Sequence, residues 1–324
     1  MKLIFWFLVL IASVGAAHWG SDQLADPLQK LRRRWGLTEA AGAAFVALAT
    51  ASPEIGTNTA SAIQGLSDIG LGNLLGSNII SVPAIVTVAY IASQKYQGRG
   101  IPLRIKPEAL TIQAIPYLII IAIAAILTLP APWRGLQPID GWIMLAAYLV
   151  YLAQAIIRQR QSAQEVNWQR KEILVAFLGV LVLAAGAYLI VTATEQIVTI
   201  LGISELIGGL LIASTLSIAP EVFATWNVAK SGQITAATTS VIADNTATMT
   251  LAFFPLALVT LPIENLLLFS VNLTFVGLLA VVYAGFIYWG SEKNSFELWE
   301  VLVLNGIYVA YLCIILFGVL RVFG

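Results

Sequence analysis

The chain has 324 residues, 59% of them hydrophobic and only 10% charged, with 17 basic and 17 acidic side chains that cancel and a mean hydropathy of +0.87. A soluble protein of this composition would need a core far larger than 324 residues enclose, and a net charge of zero offers no basic excess for nucleic acid. One cysteine, Cys313, excludes an intramolecular disulfide framework, and one histidine, His18, leaves little for Ser-His catalysis or His-rich metal sites.

The apolar runs are continuous rather than alternating in ten-residue segments, so the spans read as helices and not as barrel strands. At about 20 apolar residues per span, the sequence predicts ten helices, at residues 3–24, 37–64, 69–94, 108–129, 139–158, 172–195, 204–229, 233–261, 265–289 and 297–322. Lys2 followed by the apolar run Leu3 to Ala17 resembles a secretory signal; it is read as an uncleaved first span, because the later spans need it for their orientation. The strongly polar linker, Arg158 to Glu172, divides five spans from five. The chain therefore divides into a first unit at 1–160, a short linker at 161–171 and a second unit at 172–324.

Basic residues orient the molecule. Lys30 and Arg32 to Arg34 follow span one, Lys95, Arg99, Arg104 and Lys106 span three, Arg158, Arg160, Arg170 and Lys171 span five, and Lys230 and Lys293 spans seven and nine. Those connections share one face, with Lys2, Arg134 and Arg321 on the other. The positive-inside rule makes the first face cytoplasmic and leaves both termini outside. Five spans per half also give the halves opposite orientation, so the expected fold is an all-α, multi-pass membrane protein of two inverted five-helix repeats in the cell membrane. Such repeats are common in secondary transporters, whose sites lie at the repeat interface.

Two apolar segments carry the same acidic motif, Thr50-Ala51-Ser52-Pro53-Glu54 and Ser217-Ile218-Ala219-Pro220-Glu221. Overlaid without a gap, they also pair Asn73 with Ser240, Ser77 with Asp244, and Asn78 with Asn245. A proline within a helix cannot donate to the carbonyl four residues earlier, so Pro53 should release the Ala49 carbonyl and Pro220 that of Leu216. A freed carbonyl beside a carboxylate suits a hard cation. The candidate ligands are Glu54, Glu221, Asp244, Thr50, Ser217, Asn73, Ser77 and Ser240, with Ser52, Asn78 and Asn245 around them. No sulfur or imidazole stands among them, which disfavours copper and, more weakly, zinc.

An acidic residue at a helix centre costs about 2.5–3.5 kcal/mol on insertion scales, so three cost on the order of 8–10 kcal/mol if ionised and unpaired. No lysine or arginine falls at comparable depth, so a bound cation, protonation or a watery cavity must compensate them. The glycines Gly65, Gly70, Gly72 and Gly76 should permit close helix approach and set Asn73 and Ser77 on one face. In the second copy Ala237, Thr239 and Ala243 replace three of them. Asp68 is expected to cap span three, and Thr235 span eight.

At these residues the chain resembles the cation/calcium exchanger superfamily, specifically the sodium/calcium exchanger membrane region of prokaryotic type. Its repeats have the form Gly-Thr-Ser-x-Pro-Glu, then Gly-x-x-Asp, then Gly-Asn-x-x-Gly-Ser-Asn-Ile. The stretch from Thr50 to Ile79 matches most of this, and Gly20-Ser21-Asp22 with Arg34-Trp35-Gly36 looks like the family's first span and linker. The resemblance implies that Glu54 and Glu221 are central calcium ligands, with backbone oxygens near Thr50 and Ser217, and Asn73, Ser77, Ser240 and Asp244 facing them. The chain departs from the pattern at Ala51 and Ile218, where the family has serine, and at Ser81 and Thr248, where relatives often carry Asn or Asp. It implies an antiporter exchanging Ca2+ for Na+, with H+ or another divalent ion as alternatives. The partners are then inorganic cations and the lipid bilayer, with no nucleic acid and no cofactor beyond the transported ions. A passive cation channel lined by the acids is the competing class. An intramembrane protease finds only Asp244 where two aspartates are needed, and no histidine deeper than His18.

Overall fold

The computed structural model describes residues 1–36, 47–98, 102–105, 110–158, 163–290 and 294–320. The start of the second expected span, at 37–46, lies outside them, as do Arg99, Lys106, Arg160, Lys293 and Arg321. The described helices are α1 (Lys2–Arg34), α2 (Ser52–Gln64), α3 (Ser67–Tyr96), α4 (Thr111–Thr128), α5 (Pro138–Arg158), α6 (Arg170–Leu201), α7 (Glu205–Lys230), α8 (Ile234–Leu258), α9 (Leu266–Trp289) and α10 (Leu298–Val319). By their described residues, eight of them, α1, α3, α4 and α6 to α10, are long and apolar enough to cross a membrane. Two short strands, β1 (Leu103–Arg104) and β2 (Ser295–Phe296), pair antiparallel, a small departure from an all-helical chain.

Several boundaries differ from the sequence expectation for identifiable reasons. α1 runs through Pro27 to Arg34 instead of ending near residue 24. Leu28 and Leu31 pack against a cluster containing Tyr148 and Tyr151, and Lys30 forms an ion pair with Glu172 at the start of α6. Arg32, Arg33 and Arg34 fall in the last turn, where their charge suits the carbonyl end of the helix. The linker folds onto this end: Gln164 N donates to Arg33 O at 3.0 Å, and Lys30 Nζ reaches Asn167 O at 3.2 Å. Gln169 and Glu172 then make a capping box that starts α6 two residues early.

Asp68 is not the cap of α3. The cap position is Leu66, and Asp68 lies within the first turn, as Thr235 lies within the first turn of α8 behind Gln233. Gly65 likewise does not serve close packing. It ends α2 in the left-handed conformation (φ 74°), with open space where a Cβ would stand.

Other glycines do bring backbones together. A Cβ on Gly72 of α3 would stand 2.2 Å from Leu206 O of α7, and one on Gly209 of α7 would stand 2.1 Å from Ile69 O of α3. α1 and α6 interlock in the same way, with Gly20 against Gly179 O and Gly186 against Ser13 O. Small residues at such crossings supply the contact that hydrophobic exclusion cannot supply in lipid.

The connections gather into two ends of opposite character. At one, β1 and β2 join the segments after α3 and α9, Tyr96 meets Trp226 edge-on at 6.0 Å, and Lys230 lies 5.4 Å from the Tyr96 ring. At the other, Leu136 pairs with Leu261, while Asp68 interacts electrostatically with Glu264 and Glu205, and Glu205 with Glu195.

Gly72→Ala should lower stability in detergent by about 1–3 kcal/mol through overpacking, whereas Gly285→Ala, with nothing within 4 Å, should leave the melting temperature in place. A thermal melt of both variants followed by size-exclusion chromatography checks this; equal melting would contradict the tight α3–α7 crossing.

Candidate cation site

The first acidic motif sits at a break between helices. Residues 47–50 form a helical turn, the chain turns at Ala51, and α2 begins at Ser52 with Pro53 in its first turn. There the missing proline N–H costs nothing, because first-turn donors have no partner within the helix. The Ala49 carbonyl is released, but not to a cation: Ser21 Oγ of α1 and Ser52 Oγ, the latter at 2.7 Å, both donate to it. The expected backbone ligand is thus a fastening between α1 and the break, and Ser52 is engaged there.

Glu54 follows in the first turn of α2. It is 1% exposed, and neither carboxylate oxygen has a hydrogen-bond partner among the described residues. One turn further, Asn58 donates from Nδ2 to Ala252 O at 3.1 Å, leaving Oδ1 buried and unpartnered. On α3, Asn73 is fully buried with both amide atoms unpartnered.

The second motif lies on α7, which opens with a π-helical stretch at Gly208–Ala213 and runs on through Pro220. Glu221 lines a cavity of about 600 Å³ between α1 and α7, together with His18, Asp22, Thr50, Leu216 and Asn227. Ser217 is buried, and its backbone interacts with the His18 ring. Asp244 of α8 is buried, interacts with the Thr50 side chain and keeps Oδ1 unpartnered. Glu54, Glu221 and Asp244 are close enough to interact electrostatically. Among the described residues no three His, Cys, Asp or Glu side chains are grouped closely enough to hold a metal ion by themselves, so neutral oxygens would have to complete any shell.

The two remaining hydroxyls expected at the site turn to their own helices. Ser77 Oγ donates to Leu74 O at 3.2 Å, and the exposed Ser240 donates to Ala237 O at 3.3 Å. Asn78 and Asn245 tie the two helices that follow the motifs. Asn78 Nδ2 donates to Thr248 Oγ1 at 3.0 Å, and Ser81 Oγ donates to Asn245 Oδ1 at 3.0 Å. An offset of 167 residues carries each pair of positions onto the other, the asparagine donating in one pair and accepting in the other. Asn78 also bonds Leu74 O at 2.8 Å and accepts from Tyr117 at 2.9 Å.

Sequence reasoning missed Asn58, Tyr117, Tyr148 and Tyr151. Asn58 carried a signal, since it stands one helical turn beyond Glu54. The tyrosines carried none, because an amphipathic ring in an apolar span gives no indication of which neighbour it faces.

Comparisons with known proteins bear on the family and the fold. The family model described as sodium/calcium exchanger protein matches residues 5–157 and 171–317. An uncharacterised membrane protein of Methanocaldococcus jannaschii is 22% identical over 219 residues, 66% of this chain and 68% of its own length. A sodium/calcium exchanger of Methanosarcina acetivorans is 35% identical over 88 residues, 27% of this chain and 25% of its own. Among solved structures, the H+/Ca2+ exchanger CAX superimposes with a TM-score of 0.75 at 13% identity, covering 98% of this chain and 82% of that one. The sodium-calcium exchanger NCX_Mj gives 0.66 at 21% identity, covering 96% and 99%. At these identities the two superpositions show a shared fold.

Asn78→Ala and Thr248→Val should each destabilise the protein by about 1–3 kcal/mol, since each leaves a buried polar partner unsatisfied. In a double-mutant cycle the pair should couple by about 0.5–3 kcal/mol. Thermal melts of the four proteins measure it, and strict additivity would contradict the crossing.

Proposed function

The chain belongs to the sodium/calcium exchanger protein family, and on that premise we propose that it is a secondary antiporter moving Ca2+ across the cell membrane against a counter-flow of Na+. The observation that carries this is the pairing of buried, unpartnered acid oxygens on Glu54 and Asp244 with a cavity that reaches Glu221. Oxygens so placed suit a hard divalent cation. Glu54, Glu221 and Asp244 are the central ligands, with Thr50, the Ser217 backbone and Asn73 contributing oxygen. Ser77 and Ser240 can add oxygen while keeping the helix-carbonyl bonds they make, because a donating hydroxyl retains its lone pairs.

The architecture of the proposal is ten spans, with α2 and α5 completing the eight, as inverted repeats at 1–160 and 172–324 joined by the linker at 161–171. The reciprocal bonds at an offset of 167 residues support the repeat. So does the packing of α1 on α6, the first helix of each half. The basic end, with Lys30, Lys95 and Lys230, is cytoplasmic, which places both termini outside. The cavity lining runs along α1 from Ile11 to Asp22 and along α7 from Leu216 to Asn227, while Glu54 is closed off.

A second reading makes H+ the counter-ion. Ala51 and Ile218 bring no hydroxyl to the motifs, which favours coupling through the carboxylates alone. Calcium uptake into reconstituted vesicles separates the two, with an outward sodium gradient driving uptake in the first case and a pH gradient in the second. Uptake independent of either gradient is the signature of a channel and would contradict both. Glu54→Gln and Glu221→Gln should each reduce exchange to the level of protein-free vesicles while expression is retained; near-normal exchange from either variant refutes the site.

A further inference from the structure

Tyr148 and Tyr151 of α5 lie three residues apart on one helix face, with ring centroids 6.0 Å apart. Both are buried to within 3% of full, packed in a cluster whose other buried members are Ala47, Ala51, Ala243 and Ala247. Those neighbours are small and carry no side-chain polar atom, so no side chain among them satisfies the Tyr151 phenol. Tyr151 Oη has no hydrogen-bond partner among the described residues, although a buried tyrosine hydroxyl normally finds one. Asp244 lies between Ala243 and Ala247 in sequence, and its Oδ1 is also buried and unpartnered while the side chain interacts with Thr50. Tyr148 interacts electrostatically with Asp244, so the tyrosine face and the carboxylate are neighbours.

We propose that Tyr151 Oη and Asp244 Oδ1, with Tyr148 beside them, form a subsite for a monovalent hard cation of the sodium class on the α5 side of Asp244. The donor set fixes the class. Phenol and carboxylate oxygens exclude a soft metal. One carboxylate with neutral oxygens balances a single positive charge, whereas Ca2+ gathers six to eight oxygens and usually several carboxylates. The position also answers the absence of a hydroxyl at Ala51: that residue packs in the same cluster, and α5 brings oxygen to it from outside the motif. The inference rests on the antiporter reading and deepens it, by placing the counter-ion against a helix that carries neither acidic motif.

The test uses the purified full chain in vesicles, with calcium uptake followed against internal sodium. Tyr151→Phe removes one oxygen and keeps the ring. It should raise half-saturating sodium about five- to tenfold while shifting half-saturating calcium by less than about twofold, and Tyr148→Phe should act in the same direction. An unchanged sodium dependence overturns the subsite, as does an equal shift for both ions, which marks a structural role or a hydroxyl that merely binds water. Exchange in the unmodified protein that ignores sodium but follows a pH gradient also overturns it. Calcium flux without any counter-gradient is a different result, because it removes the antiporter reading itself.

Discussion

Carboxylates held inside an apolar helical bundle, with no ion pair to them among the described residues, are the constraint on which the rest of the structure depends. The ion pair found among the described residues, Lys30 with Glu172, lies at the end of α1. Glu54 and Asp244 are buried with unpartnered oxygens. At about 2.5–3.5 kcal/mol for each acid, the bundle must be held together by terms that do not involve them. The glycine crossings of α3 on α7 and of α1 on α6 supply close packing. The Asn78–Thr248 and Asn245–Ser81 pairs satisfy the polar groups nearest the crossing. Together they stiffen a frame in which the acids remain available.

The two motif-bearing segments use that frame differently. In the first, the break at Ala51 lets Glu54 start a helix, and Ser21 and Ser52 close the carbonyl that Pro53 releases, so the segment is anchored to α1. In the second, α7 continues through Pro220, and Glu221 looks into a cavity shared with Leu216 and His18. One duplicated motif therefore yields one occluded acid and one accessible acid. Asp244 interacts electrostatically with both acids and so links the two motifs.

Much of this was legible in the sequence because it depends on local chemistry. Apolar run length located the eight helices that are long and apolar enough to cross a membrane, and the offset between Pro53-Glu54 and Pro220-Glu221 showed the motif to be duplicated. Gly72 marked a close crossing because glycine in an apolar helix has few other uses. What was not legible depends on distant partners. Ser21 takes up the Ala49 carbonyl from 28 residues away, so the release by Pro53 was predictable and its fate was not. Ser81 and Thr248 read as departures from a family pattern, yet they are the hydroxyls that complete the crossing. The length of α1 turned on Lys30 meeting Glu172, and the tyrosines of α5 turned on which helix they face. Single sequences carry neither kind of information.

The central claim is that the unpartnered oxygens around Glu54, Glu221 and Asp244 form a cation site. Ligand that binds only the folded state raises its stability, by about 2.7 kcal/mol at a hundredfold excess over the dissociation constant. The most direct measurement is therefore the melting temperature of the purified protein in detergent as calcium is titrated at constant ionic strength. The account predicts a saturable rise with calcium that Glu54→Gln eliminates. A melting temperature that does not respond to calcium, or responds equally in the variant, would contradict it.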